Sequence, residues 1–101
     1  MDELDVFVKV INLKLNIRNI LEDLNFNKLN NISYIQDICN DRRFVIVFEE
    51  NHLAVSLYNK TTDISITEMI NYESMLKDMI FYDLSSEYII KTLLEEMRIY
   101  G

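Results

Sequence analysis

The amino-acid sequence predicts an α+β domain in the order α-α-β-β-α-α, with one antiparallel β-hairpin packed against helices. Three observations predict it. Apolar residues recur at spacings of three and four over residues 3–24 and again over 65–97, as on helices that bury one side. Between these stretches, Phe44-Val45-Ile46-Val47-Phe48 is a continuous β-branched and aromatic run. Directly after it, Leu53, Val55 and Leu57 alternate with Ala54, Ser56 and Tyr58, as along a strand with one buried face. The 101 residues suit one domain, residues 1–101, and are too few for two ordinary ones.

In residues 3–24, Val6, Val10, Leu13, Ile17, Ile20, Leu21 and Leu24 form one face, and Asp5, Lys9, Asn12, Asn16, Asn19 and Asp23 form a polar stripe of the same period. Residues 11–18 also alternate as a strand would. The helix is preferred because its polar stripe runs the full length. Leu4, Phe7, Val8, Ile11 and Leu15 widen the apolar side beyond an ordinary amphipathic stripe. At 1.5 Å per residue the helix is about 33 Å long, more than a domain of this size covers. It therefore either crosses the centre of the molecule or contributes to a subunit interface, and a homodimer is expected.

Asn25–Asn31 is polar and reads as a loop. Ser33 and Gln36 have capping-box spacing, so a short helix is expected through Ile35, Ile38 and Cys39, ending near Asn40. The hairpin of residues 44–48 and 53–58 turns at Glu49-Glu50-Asn51-His52, with Asn51 as the left-handed residue. A two-stranded ribbon is marginal alone, so helices must cover it or a partner must extend it. Ser65 and Glu68 make a second capping box, with Ile64 and Met69 as a hydrophobic staple. That helix continues through Tyr72, Leu76, Met79 and Ile80 and breaks at Asp83–Ser86. Ser85 caps the last helix, whose buried stripe is Ile90, Leu93, Leu94 and Met97. Arg98 suits its final turn.

Composition narrows the function. Ile, Leu, Val, Met and Phe fill 42 positions against one Ala and one Gly, so elements pack through bulky side chains, and the apolar supply exceeds what a monomer needs. With no proline and only Gly101, turns needing positive φ fall to the 11 asparagines. Heavy Ile and Asn usage hints at AT-rich coding in a bacterium, phage or other virus. One cysteine fits a reducing compartment, the opening Met1-Asp2-Glu3 lacks a signal-peptide pattern, and no apolar run approaches the length of a membrane span. A cytoplasmic protein, of a bacterium or of a host cell, is expected. The net charge is −7, which disfavours direct nucleic-acid binding.

Chemistry-bearing residues are few. His52 lies beside Glu49 and Glu50 on one turn, which offers two metal ligands at best where three or four are needed. A solvated turn that blunts a sheet edge is the plainer account. Cys39 reads as a small buried hydrophobe. Glu49-Glu50 and Glu95-Glu96 are sequence neighbours whose side chains diverge. Gly101 excludes glycine-rich phosphate loops. Met69, Met75, Met79 and Met97 read as core filler before they read as an adaptable binding face.

The expectation is thus a protein without catalytic residues, cofactor or metal. It would act as a protein-binding module or inhibitor that occludes a surface of a basic macromolecular partner, in the manner of a phage or viral inhibitor or an immunity protein. Its expected contact residues are Glu49, Glu50, His52, Asp83, Glu87 and Glu95. The alternative is a small DNA-binding regulator using Arg42 and Arg43. The order of short helices before a hairpin resembles winged-helix domains, but the turn is acidic and residues 33–40 hold no Lys or Arg.

Overall fold

A computed structural model describes residues 3–100; Met1, Asp2 and Gly101, including the opening used to argue against a signal peptide, lie outside them. The chain forms α1 (Glu3–Asp23), five strands β1 (Asn27–Asn30), β2 (Ser33–Cys39), β3 (Arg42–Phe48), β4 (His52–Asn59) and β5 (Ile64–Asn71), then α2 (Tyr72–Phe81) and α3 (Ser86–Tyr100). The strands pair in sequence order as one antiparallel sheet, β1-β2-β3-β4-β5. The α+β class holds. The order does not: three helices and five strands replace four helices and one hairpin.

Two segments account for the difference. Ser33–Cys39 is a strand and not a short helix, because it pairs with β3 along its length, Tyr34 opposite Ile46 and Gln36 opposite Phe44. Its β-branched and aromatic residues suit that ladder, and tertiary pairing overrides a local Ser-x-x-Gln spacing. Ile64–Asn71 is likewise a strand. It lies against β4, with Ile66 opposite Leu57 and Ile70 opposite Leu53, so Ser65 and Glu68 cap nothing. The helix starts at Tyr72, where the Asn71 side chain accepts from the Ser74 N–H at 3.0 Å. Ser85 does cap α3, accepting from the Tyr88 N–H at 3.1 Å.

Residues 3–23 are one helix, and the hairpin reading survives as β3 and β4. Positive φ falls on Asn25, Asp63 and Asp83, so among the described residues Asn51 is not the left-handed one and aspartate shares the task with asparagine.

The core lies between the sheet and the helices. Phe44, Ile46 and Phe48 of β3 and Leu53, Val55 and Leu57 of β4 point to one side. There they meet Leu13, Ile17 and Leu21 of α1, Tyr72 and Met75 of α2, and Ile90, Leu94 and Met97 of α3. The alternate residues, Val45, Val47, Ala54 and Ser56, are half-buried on the opposite, helix-free face. Phe26 packs on Phe44 with ring centroids 6.2 Å apart, and Tyr34 meets Phe48 edge-on at 6.0 Å.

At the far corner of the helix-free face, Asp37 binds Arg43 at 2.7 Å and Lys60 at 3.1 Å. The Arg43 hydrogen bond, then that of Lys60, holds the Asp37 carboxyl at about 2, below its ordinary 3.8. A depressed folded-state value means that the pair stabilises fully above about pH 4 and is lost as pH falls toward 2. The difference in denaturant midpoint between the native chain and Asp37→Asn is therefore expected to be constant at neutral pH and to vanish between pH 4 and 2. A difference that grows on acidification would contradict this.

Candidate partner-binding site

The sheet has one long unprotected edge. All of β5 except Ile70 is exposed, and among the described residues no strand lies beyond it. Ile64 is 63%, Ile66 44% and Met69 60% exposed. Natural edges are usually shortened, charged or bulged to prevent pairing with another chain. This one is eight residues long, registers without a bulge and carries a single charge, Glu68.

The register fixes what the edge offers. The Tyr72 N–H donates to the Asn51 carbonyl at 3.1 Å. Because hydrogen-bonded pairs alternate along an antiparallel ladder, Ile66, Glu68 and Ile70 spend their backbone groups on β4. Those of Ser65, Thr67 and Met69 point away from the sheet. Side chains follow the other alternation: Ile66, Glu68 and Ile70 lie on the helix side, opposite Leu57, Val55 and Leu53.

A groove continues from this edge between α2 and α3. Its first part, about 600 Å³, is floored by Ile70, Met75, Leu84, Ile89 and Leu93, with Tyr82 and Tyr88 at its mouth and Asp78 and Glu96 among its lining. A second part, about 310 Å³, runs under β5 and is lined by Ile66, Glu68, Leu93, Glu96, Met97 and Tyr100. Leu93 and Glu96 belong to both. The whole is an apolar trough with three carboxylates and no lysine or arginine.

Of the residues expected to touch a partner, Glu49, Glu50 and His52 lie at the β3–β4 turn, while Asp83, Glu87 and Glu95 lie on or before α3. Glu49 lies in the β3–β4 turn, where its carbonyl accepts from the Tyr72 hydroxyl at 3.1 Å. Burial pushes that phenol up to about 12, so it stays a donor at neutral pH. The Glu50 carbonyl accepts from Lys14 Nζ at 3.4 Å. His52 opens β4, and its carbonyl accepts from the Glu49 N–H. Asp83 is the left-handed residue between α2 and α3. Glu87 pairs with Lys91 at 2.7 Å, and Glu95 lines a separate small groove beside Lys91 and Arg98.

Arg43 is held by Asp37, and Arg42 donates to the Arg98 carbonyl at 3.0 Å. Residues 33–40 supply no recognition helix beside them. Cys39 is exposed, not buried, because the strand ends there; its thiol lies 2.9 Å from Asp41 Oδ1. Among the described residues no three of His, Cys, Asp and Glu gather closely enough to hold a metal ion, and no helix is long and apolar enough to cross a membrane. The methionines divide: Met75 and Met97 are buried, Met79 is half-buried and Met69 is exposed on the edge.

Sequence reasoning missed Glu68, Asp78, Glu96 and the edge itself. The available signal was the alternation of Ile64, Ile66 and Glu68 with Ser65, Thr67 and Met69, which a strand reading would have used.

Fold and site together define a helix-backed antiparallel meander that presents an open strand beside an acidic, apolar trough. Compared with known protein families, curated proteins and solved structures, the chain matches none.

Proposed function

We propose that the protein is a non-enzymatic binding module that holds an extended segment of a basic protein, adding it to the sheet as a sixth strand beside β5 and so occluding that segment. The observation carrying this reading is the unpaired, bulge-free edge of β5 lying along the trough. Strand addition takes affinity from main-chain hydrogen bonds and specificity from pockets for alternate side chains. Here Ser65, Thr67 and Met69 supply the backbone groups, and the trough supplies the pockets.

The chemistry of the trough sets the preferred segment. On the helix side, a residue opposite Ile70 enters the apolar part, and one opposite Ile66 lies against Met97 and Tyr100. The residue between them on that side faces Glu68 and Glu96, which favour Lys or Arg. Same-face residues are two apart in a strand, so the pattern is apolar-x-basic-x-apolar. A net charge of −7 steers such a partner toward the protein.

The test is titration with synthetic ten-residue peptides carrying that pattern, beside controls with Glu at the basic position. Binding is expected for the first and not for the second. Thr67→Pro removes an outward N–H without taking a backbone bond from β4, since proline is tolerated on an edge, although the 2.8 Å hydroxyl contact with Ser56 goes with it. It is expected to weaken binding at least about tenfold, beside a Thr67→Val control that loses only the hydroxyl. Absence of binding by every patterned peptide, or binding indifferent to Thr67→Pro, would refute strand addition. Nothing in the arrangement of Arg42 and Arg43 favours the DNA-binding alternative, since both guanidinium groups have partners within the chain.

A further inference from the structure

α1 carries two apolar stripes on opposite sides, and only one of them is used. Leu13, Ile17 and Leu21 face the core and are buried. Leu4, Val8, Ile11 and Leu15 recur at spacings of four, three and four, and Phe7 flanks them. At 100° per residue these four fall within a narrow band on the side away from Ile17. The spacing is that of a coiled-coil seam. All five are exposed, from 41% at Ile11 to 71% at Leu4. Val6 and Val10, on the other side of the helix, are half-buried, and Val10 packs on the core, so the first half of α1 lies along the body and leaves this seam open.

We propose that this seam pairs with the same seam of a second copy, as an antiparallel α1–α1 dimer with Leu4 opposite Leu15 and Val8 opposite Ile11 of the other chain. Two features select a second copy. The first is area. The five side chains expose on the order of 400–500 Å², as large as the biggest patch of a typical monomer. Two copies joined along the seam would bury on the order of 800–1,000 Å² in total, the size of a small, weakly held interface. The second is charge. Residues 3–18 hold Glu3 and Asp5 against Lys9, Lys14 and Arg18, so this is the part of an acidic chain where two copies meet without repulsion.

Direction follows from the same charges. Antiparallel pairing opposes the helix dipoles and keeps the acidic first turns of the two helices apart, whereas parallel pairing sets Glu3 and Asp5 of one copy beside those of the other. Lys14 and Arg18 stay over the Tyr72 and Phe48 rings of their own chain. The antiparallel alignment also sets the two sheets toward opposite ends of the paired helices. The dimer does not depend on the docking reading for β5, and either can fail alone.

The experiment is light scattering on the eluting full-length protein, with a mass expected at twice the 12.1 kDa of one chain. Val8→Asp is expected to weaken association at least about 30-fold while leaving the helical circular-dichroism signal and cooperative melting intact. Direction is read by cross-linking in a Cys39→Ser background. Leu4→Cys mixed with Leu15→Cys is expected to form a disulfide-linked dimer on oxidation, and neither variant alone should do so. The cross-link also serves if Val8→Asp does not fold. A monomeric native protein, a dimer unaffected by Val8→Asp, or cross-linking of the single variants in preference to the mixture would overturn the proposal.

Discussion

Replacing Phe44 by alanine is expected to destabilise the fold by about 3–5 kcal/mol, enough to remove most of the stability of a marginal domain. Phe44 is 1% exposed on the central strand. It lies between Gln36 of β2 and Leu57 of β4, packs against Phe26, and with Leu94 lines the inner end of the helix layer. A cavity there is bordered by strands on both sides, which cannot close in without giving up ladder hydrogen bonds. Equilibrium urea unfolding of the native and variant chains measures the loss. A change below about 1 kcal/mol would mean that Phe44 is not at the centre of the core.

The second large effect separates the two sides of α1. Ile17→Ala is expected to cost about 2–5 kcal/mol, because Ile17 is fully buried in the core cluster that joins the helices to the sheet. Ile11→Ser, six residues earlier and exposed, is expected to change the stability of the isolated chain by no more than about 0.5 kcal/mol. Both are read by unfolding at a concentration low enough that the midpoint no longer depends on it. Equal costs at the two positions would contradict the division of α1 into a packed stripe and an unused one.

The excess of apolar residues on α1 was legible in the amino-acid sequence, as a widening of one side and not as a second stripe, and so were the central strands. That excess stood out because a helix periodicity leaves room for only one buried stripe. The run of residues 44–48 could hardly be anything but a strand. What misled was local spacing at Ser33 and Ser65. Capping-box patterns are short and frequent, and at both places they competed with β-branched residues whose preference shows only when a neighbouring strand is present. Losing β1, β2 and β5 from the reading also hid the edge, since an edge exists only relative to a sheet. The acidic residues of the candidate site suffered the same way. Glu68 and Glu96 lie 28 positions apart and line one groove only because the fold brings α3 near β5, whereas Glu49, Glu50 and His52 drew attention through adjacency alone. Cys39 was expected to be buried because it was placed on a helix edge; it lies instead at the end of β2, beyond the residues that β1 covers, where its side chain is exposed.

The most direct measurement is residue-resolved amide hydrogen exchange along β5, with and without a saturating apolar-x-Lys-x-apolar peptide. In the unbound protein Ile66, Glu68 and Ile70 should exchange slowly and Ser65, Thr67 and Met69 fast, following the register against β4. With peptide, the second set should become protected while the first is unchanged. Fast exchange at Ser65, Thr67 and Met69 in the presence of bound peptide, or slow exchange there before any peptide is added, would contradict an open edge that works by accepting a sixth strand.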